Sequence, residues 1–378
     1  MRTLIFCLLA LFACNSATAQ QINPPGATPQ AVAQKAADKA PATKKTPAPK
    51  GPPAKELFGT VGSPAPLAAR AIGSYAKGCL AGGTALPITG PDWQVMRLSR
   101  NRNWGHPRLV DYMERLASDA RALDGWPGLL VGDMAQPRGG PMLTGHSSHQ
   151  IGLDADIWLT PMPDRVLTAE EREDISAVSM LKDPFTVDPK VWTPLHTKLI
   201  RRAASYPQVA RIFVHPAIKK ALCEQAGKDR AFLRKVRPWW NHYYHFHVRL
   251  SCPPGLAGCE NQAPVDSDDG CGQQLKDWYA MLRKAAIEAA KPAQPGAKPW
   301  KGKPALTLAQ LPRDCGTVLK AGGHTPVVAD AGKLPAALKI AAGKDAGPPL
   351  PKLDQAALNA LVGGKSGGIP LPDRNPQR

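Results

Sequence analysis

Five of the nine histidines in this chain fall in two short windows: His146 and His149 in Gly145-His146-Ser147-Ser148-His149, and His242, His245 and His247 between Asn241 and Arg249. The run after the first window, Gln150 to Leu159, alternates apolar and polar residues with period two. As a strand it places Leu153, Ala155, Ile157 and Leu159 on one face and Asp154, Asp156 and Trp158 on the other. The second window behaves alike, with Tyr244, Phe246, Val248 and Leu250 toward a core and His245, His247 and Arg249 opposite. Imidazoles and carboxylates on rigid strands suit a catalytic zinc, which takes three such ligands and leaves a fourth position for water. The metal lowers the pKa of that water toward ~7 and polarises a carbonyl. Two His and one carboxylate also describe a non-haem iron site, so the pattern alone leaves the metal open. Polar groups beside the ligands would orient them or move protons.

The elements that must carry these windows are legible around them. Leu109, Tyr112, Met113, Leu116, Ala120 and Leu123 share one helical face, and Gly125 ends the run. Leu129 to Met134 reads as a buried strand, Leu195 to Ala204 as a helix, Val209 to Val214 as a strand, and Ile218 to Leu233 as a helix broken near Gly227. This order predicts an α+β fold: one compact domain whose small central antiparallel sheet carries the metal site, flanked by helices and disulfide-braced loops. Trp239, Trp240, Tyr243 and Tyr244 follow as core aromatics or as a groove lining. His106, His196, His215 and His324 stand alone and receive no role.

Composition sets the limits of that domain. The 378 residues include 40 prolines and 34 glycines, 43% are hydrophobic, and the formal net charge is +18. The proline shows no Gly-X-Y period, so the chain is neither collagen-like nor wholly disordered. Residues 1–19, with Arg2, an apolar run from Leu4 to Ala13 and Ala17-Thr18-Ala19, read as a cleavable export signal. That run is shorter than the ~20 residues of a membrane span, and no transmembrane segment is expected later. Cys14 ends a loose match to a lipoprotein cleavage box. Residues 20–56 read as a Pro/Ala/Lys-rich disordered linker, 57–316 as the folded domain, and 317–378 as a mostly disordered tail in which Ala356 to Val362 can form a turn or two of helix. The basic tails favour an anionic polymer or surface, and export argues against nucleic acid. Six cysteines remain after the signal, an even number that suggests disulfides in an exported chain. Cys252 and Cys259, bracketing Pro253-Pro254-Gly255, are the pair the sequence itself proposes.

His149 and Asp156, six residues apart, followed downstream by His245-Phe246-His247, resemble the H-x6-D and H-x-H pattern of the metallopeptidase group that includes lysostaphin-type enzymes, D-alanyl-D-alanine peptidases and the hedgehog fold. The run from His146 through Trp158, Arg237-Pro238 leading to His242, and His245 to Arg249 are most similar to the penicillin-insensitive murein endopeptidase family, over about Leu57 to Cys315. That resemblance implies His149, Asp156 and His247 as Zn2+ ligands, with Asp154 as the alternative carboxylate on the same face. It implies His245 as base or transition-state stabiliser, and His146 and His242 as neighbouring active-site histidines. A second metal position would use His146 and Asp183, but Thr186 stands where a histidine is expected. The resemblance further implies the pairs Cys79–Cys315, Cys223–Cys271 and Cys252–Cys259. The expected activity is zinc-dependent hydrolysis of D-alanyl–diaminopimelyl cross-links in peptidoglycan, in the periplasm, with a homodimer compatible. An amidase or carboxypeptidase on the same metal site, and a non-catalytic wall-binding protein, are the rival readings.

Overall fold

A computed structural model describes residues 51–291, 304–323 and 347–363, all within the unit Pro49–Arg378. The export signal, Cys14 and most of the expected linker lie outside the described residues. In chain order the elements are α1 (Ala54–Gly59), β1 (Arg70–Ser74), β2 (Lys77–Ala81), β3 (Thr84–Ala85), β4 (Trp93–Val95), β5 (Trp104–Gly105), α2 (Pro107–Asp124), β6 (Leu129–Val131), β7 (Asp154–Trp158), α3 (Ala169–Asp174), β8 (Leu181–Asp183) and β9 (Thr186–Val187). There follow α4 (Pro194–Ser205), β10 (Val209–Val214), α5 (Pro216–Gln225), β11 (Val236–Pro238), β12 (His245–Leu250), α6 (Gln273–Ala290), α7 (Asp314–Lys320) and α8 (Gln355–Gly363). Among the described residues no helix is long and apolar enough to cross a membrane.

The fold is α+β, built on one six-stranded sheet in the order β11-β10-β12-β7-β6-β4. Its four middle strands pair antiparallel, as the alternating sequence implies, whereas the edge pairs β10–β11 and β4–β6 are parallel. The edge strands are three residues each, too short to show a period in sequence. One face of the sheet is apolar: Ala155 and Ile157 of β7, Phe246, Val248 and Leu250 of β12, and Ile212 and Val214 of β10 are buried with Leu109, Met113 and Leu116 of α2 and Leu199 and Ile200 of α4. Each of the larger of these side chains contributes about 1.5–3 kcal/mol through burial, and together they fix which face of β7 and β12 turns away from the core.

Helix α2 starts at His106, whose Nδ1 accepts from the Arg108 N–H at 3.3 Å, and ends at Gly125 with φ of 76°. Leu123, read from the sequence as part of the core face, is exposed. The left-handed Gly125 turns the chain so that the Trp126 N–H donates to the Ala120 carbonyl, and the buried Trp126 fills that end of the core instead. His215 caps α5 in the same way as His106 caps α2, and His196 completes a capping box at α4, which accounts for three of the isolated histidines.

The described domain runs past both expected edges. Ala54 at the start of α1 and Val318 and Leu319 at the end of α7, just outside residues 57–316, pack in one cluster with Leu57, Phe58, Cys79 and Cys315. The disulfides Cys79–Cys315, Cys223–Cys271 and Cys252–Cys259 are all present. The first ties α7 to β2.

Candidate metal centre

The polar face of the sheet brings the two histidine windows together. Antiparallel pairing of β7 with β12 sets His247 opposite Asp156, His245 opposite Trp158, and Arg249 opposite Asp154. His149 enters from the loop before β7 with φ of 66°, a left-handed conformation uncommon outside glycine. What holds it is visible. The His149 N–H donates to Asp154 Oδ2 at 3.0 Å, and Gln150 Nε2 donates to the carbonyls of Ala76 and Ser147. His242, at φ of 52°, lies with its ring centroid 4.9 Å from that of His245 and its Nδ1 2.6 Å from the Trp240 carbonyl.

Asp156 is the hub. Its Oδ1 lies 3.1 Å from His247 Nδ1 and 3.6 Å from His149 Nε2, and its Oδ2 lies 3.2 Å from His146 Nε2 and 3.8 Å from His245 Nε2. Burial alone would raise this carboxyl, but the charge of neighbouring His146 and the His247 ring beside it hold it well below the ordinary carboxylate range. Burial pushes His149 down to about 3 and His245 to about 4, so both rings are neutral and offer lone pairs.

Whether these groups suit a metal can be asked of their unpaired atoms. Both ring nitrogens of His149 and His245 are buried without a hydrogen-bond partner, and the buried His247 ring, whose nitrogens face Asp154 and Asp156 at 3.4 and 3.1 Å, makes no well-aligned hydrogen bond to either. Buried polar atoms are otherwise nearly always paired, so a cluster of unpaired donors fits a cation at their common centre. Among the described residues, His146, His149 and Asp156 are the three that can each present a ligand atom within 4.8 Å of the others; His247 falls outside that group, although its ring centroid lies 4.6 Å from that of His149 and its Nδ1 3.1 Å from Asp156 Oδ1.

Asp154, the alternative carboxylate, is committed elsewhere. It takes a bidentate pair from Arg249, Nε at 2.8 Å and NH2 at 2.9 Å, besides the His149 N–H, and stands 3.4 Å from His247 Nε2. It therefore orients two of the expected ligands from behind. Asp183 is also occupied, accepting from the Thr186 hydroxyl at 2.6 Å and the Phe185 N–H in the β8–β9 turn. No three-donor group among the described residues includes it.

Sequence reasoning missed Asp133. It follows β6, is buried, and binds Arg102 at 2.7 Å and Arg100 at 3.2 Å while lying 3.3 Å from His146 Nε2. A lone acid within an apolar run was the only sign of it. Tyr244, expected on the core face, instead precedes β12 and lines the cleft with Arg97, Arg100, Asp133, His146 and His245. His146 also borders a second hollow of about 490 Å³, walled by Lys55, Lys77, Met142, Leu143 and Leu306. Two serine patterns linked to nucleophiles occur as well. Ser74-Tyr75-Ala76-Lys77 closes the β1–β2 hairpin, and Gly364-Lys365-Ser366-Gly367-Gly368 lies outside the described residues, so neither forms a described nucleophile site.

A sheet that turns buried histidines and a carboxylate toward a cleft has the donor set of a metallohydrolase-type centre. Residues 71–320 match the family model of penicillin-insensitive murein endopeptidase. The chain is 47% identical over 241 residues to the Haemophilus influenzae protein of that name, covering 63% of this chain and 80% of the relative. It is 42% identical over 252 residues to a Klebsiella pneumoniae protein of that name (66% and 86% covered) and 42% identical over 236 residues to one from Escherichia coli (62% and 86%). The chain belongs to the penicillin-insensitive murein endopeptidase family, and it is a peptidase.

Proposed function

We propose that this protein is an exported, zinc-dependent endopeptidase that hydrolyses the D-alanyl–diaminopimelyl cross-links of peptidoglycan in the periplasm. The observation that carries the reading is the cluster of buried donors on His149, Asp156 and His247, within a domain whose relatives are named for murein endopeptidase activity. Those three residues would hold the ion. Zinc held by them would supply Lewis acidity toward a scissile carbonyl and would lower the pKa of water toward ~7. Asp154 and Arg249 keep the His149 loop and the His247 ring in place. His245, on the same strand face as His247, is placed to accept a proton from water or to donate a hydrogen bond to the developing oxyanion. His146, between Asp133 and Asp156, is placed to pass a proton to the leaving amine, and His242 backs His245.

The test is digestion of purified peptidoglycan with and without a chelator, followed by identification of the new termini. Endopeptidase action turns cross-linked dimers into monomers without freeing terminal D-alanine, and the chelator stops it. Release of D-alanine would mark a carboxypeptidase, cleavage at the sugar–peptide bond an amidase, and wall binding without new termini a non-catalytic protein.

A further inference from the structure

An endopeptidase must hold its substrate on both sides of the bond it cuts, and the two flanks of this centre differ. The hollow on the Lys55, Lys77 and Leu143 side of His146 has about 490 Å³. The cleft on the other side, bounded by Arg97, Arg100, Asp133, Trp158, Tyr244 and His245, is reduced to about 50 Å³. That is room for a few waters and far below the ~300–1,000 Å³ of pockets that take a ligand.

What narrows it is the chain's own C-terminal segment. Gly347 and Pro348 form part of the cleft wall. The Tyr243 hydroxyl donates to the Pro348 carbonyl. Gly347 lies so close on the Tyr244 ring that an added Cβ would overlap it. The stretch that follows, Pro349-Leu350-Pro351, is stiffened by proline, and α8 then packs against α6. This segment lies beyond residues 71–320, so the family match does not account for it.

We infer that residues 347–354 are a built-in occupant of one substrate flank: a C-terminal strap that limits access to the metal centre and must leave before a cross-linked peptide can bind across it. The inference rests on the peptidase reading above for its meaning, but the seating of the strap can be measured without turnover. Gly347→Leu in the full-length chain cannot seat against Tyr244. Tyr243→Phe, which keeps ring volume and removes only the hydroxyl held by Pro348, is a gentler second variant.

Two readouts apply to each: kcat/KM on purified muropeptide dimers, and the rate at which diethyl pyrocarbonate acylates His245, which borders only the narrowed cleft, in metal-free protein, followed by peptide mass. With the strap displaced, acylation should rise at least about threefold in Gly347→Leu and less in Tyr243→Phe, and kcat/KM should rise in the same order, chiefly through a lower KM. Unchanged acylation in both variants overturns the strap. Faster acylation with unchanged kcat/KM shows a seated segment that does not restrain the enzyme, which overturns the inference too. Faster acylation with no hydrolysis by any of the proteins, unsubstituted chain included, sinks the peptidase reading and leaves the seating of the strap established.

Discussion

His247 and Asp156 are register partners across the β7–β12 ladder, with Nδ1 and Oδ1 3.1 Å apart and both side chains buried. A one-residue slip of either strand would turn one of them into the apolar core, so the packing that fixes register also fixes the site. His245 shares the strand face of His247 but is the register partner of Trp158, and its Nε2 lies 3.8 Å from Oδ2 of Asp156, the oxygen that also faces His146.

That difference predicts a separation of metal binding from chemistry. His247→Ala removes one of the three proposed ligands and should lower zinc content and activity together, because one His and one carboxylate hold zinc poorly. His245→Ala should keep zinc near stoichiometric and reduce turnover by about 10²-fold or more. Metal analysis beside rate measurements decides, and equal loss of zinc in both variants would make His245 a ligand.

The period-two alternation of residues 150–159 and 244–250 made the two site strands and their faces legible, because a strand with one face on an apolar core and the other on a polar site alternates in residue type even where both faces are buried. The helical face of α2 was legible for the same reason. Asp133 and its arginines were not, since Arg100, Arg102 and Asp133 meet only through tertiary contact. Asp154 and Asp156 are equivalent in the alternation. The pairing of Arg249 with Asp154 is what sets them apart, and it depends on strand register. The seat of Gly347 on Tyr244 depends on a contact between residues 103 apart in sequence, and no local pattern announces it.

The disulfides should contribute unequally. Cys79 and Cys315 are 236 residues apart in sequence, Cys223 and Cys271 are 48 apart, and Cys252 and Cys259 only 7. In the chain-entropy account the longest loop restricts the unfolded state most, by about 5 kcal/mol, and the shortest least. Replacing Cys79 and Cys315 by serine should therefore lower the melting temperature more than replacing Cys252 and Cys259. Thiol titration of the denatured, unreduced protein should find no free cysteine among the six. Equal melting shifts for the two double variants would remove loop length as the reason.

Lys219 should make stability rise with pH. It is fully buried on α5, with Nζ donating to the carbonyls of Leu233 at 2.8 Å and Asp269 at 2.6 Å. Burial first, and then the Arg237 charge, push its pKa down to about 7. In the unfolded chain the same amine titrates near ~10.4. Between those two values the unfolded state binds the extra proton and the folded state does not, so stability increases as pH climbs from 7 toward 10. Over pH 7 to 9 the gain reaches about 2 kcal/mol, at 1.36 kcal/mol per pKa unit, if the amine sheds its proton in the fold. Lys219→Met keeps the buried stem and removes the titrating group, so its denaturant unfolding free energy should lack that rise even though the loss of two hydrogen bonds lowers stability overall. The comparison to make is the slope against pH in the two proteins. Parallel slopes would mean that Lys219 keeps its proton in the folded state throughout this range, held by the two carbonyls.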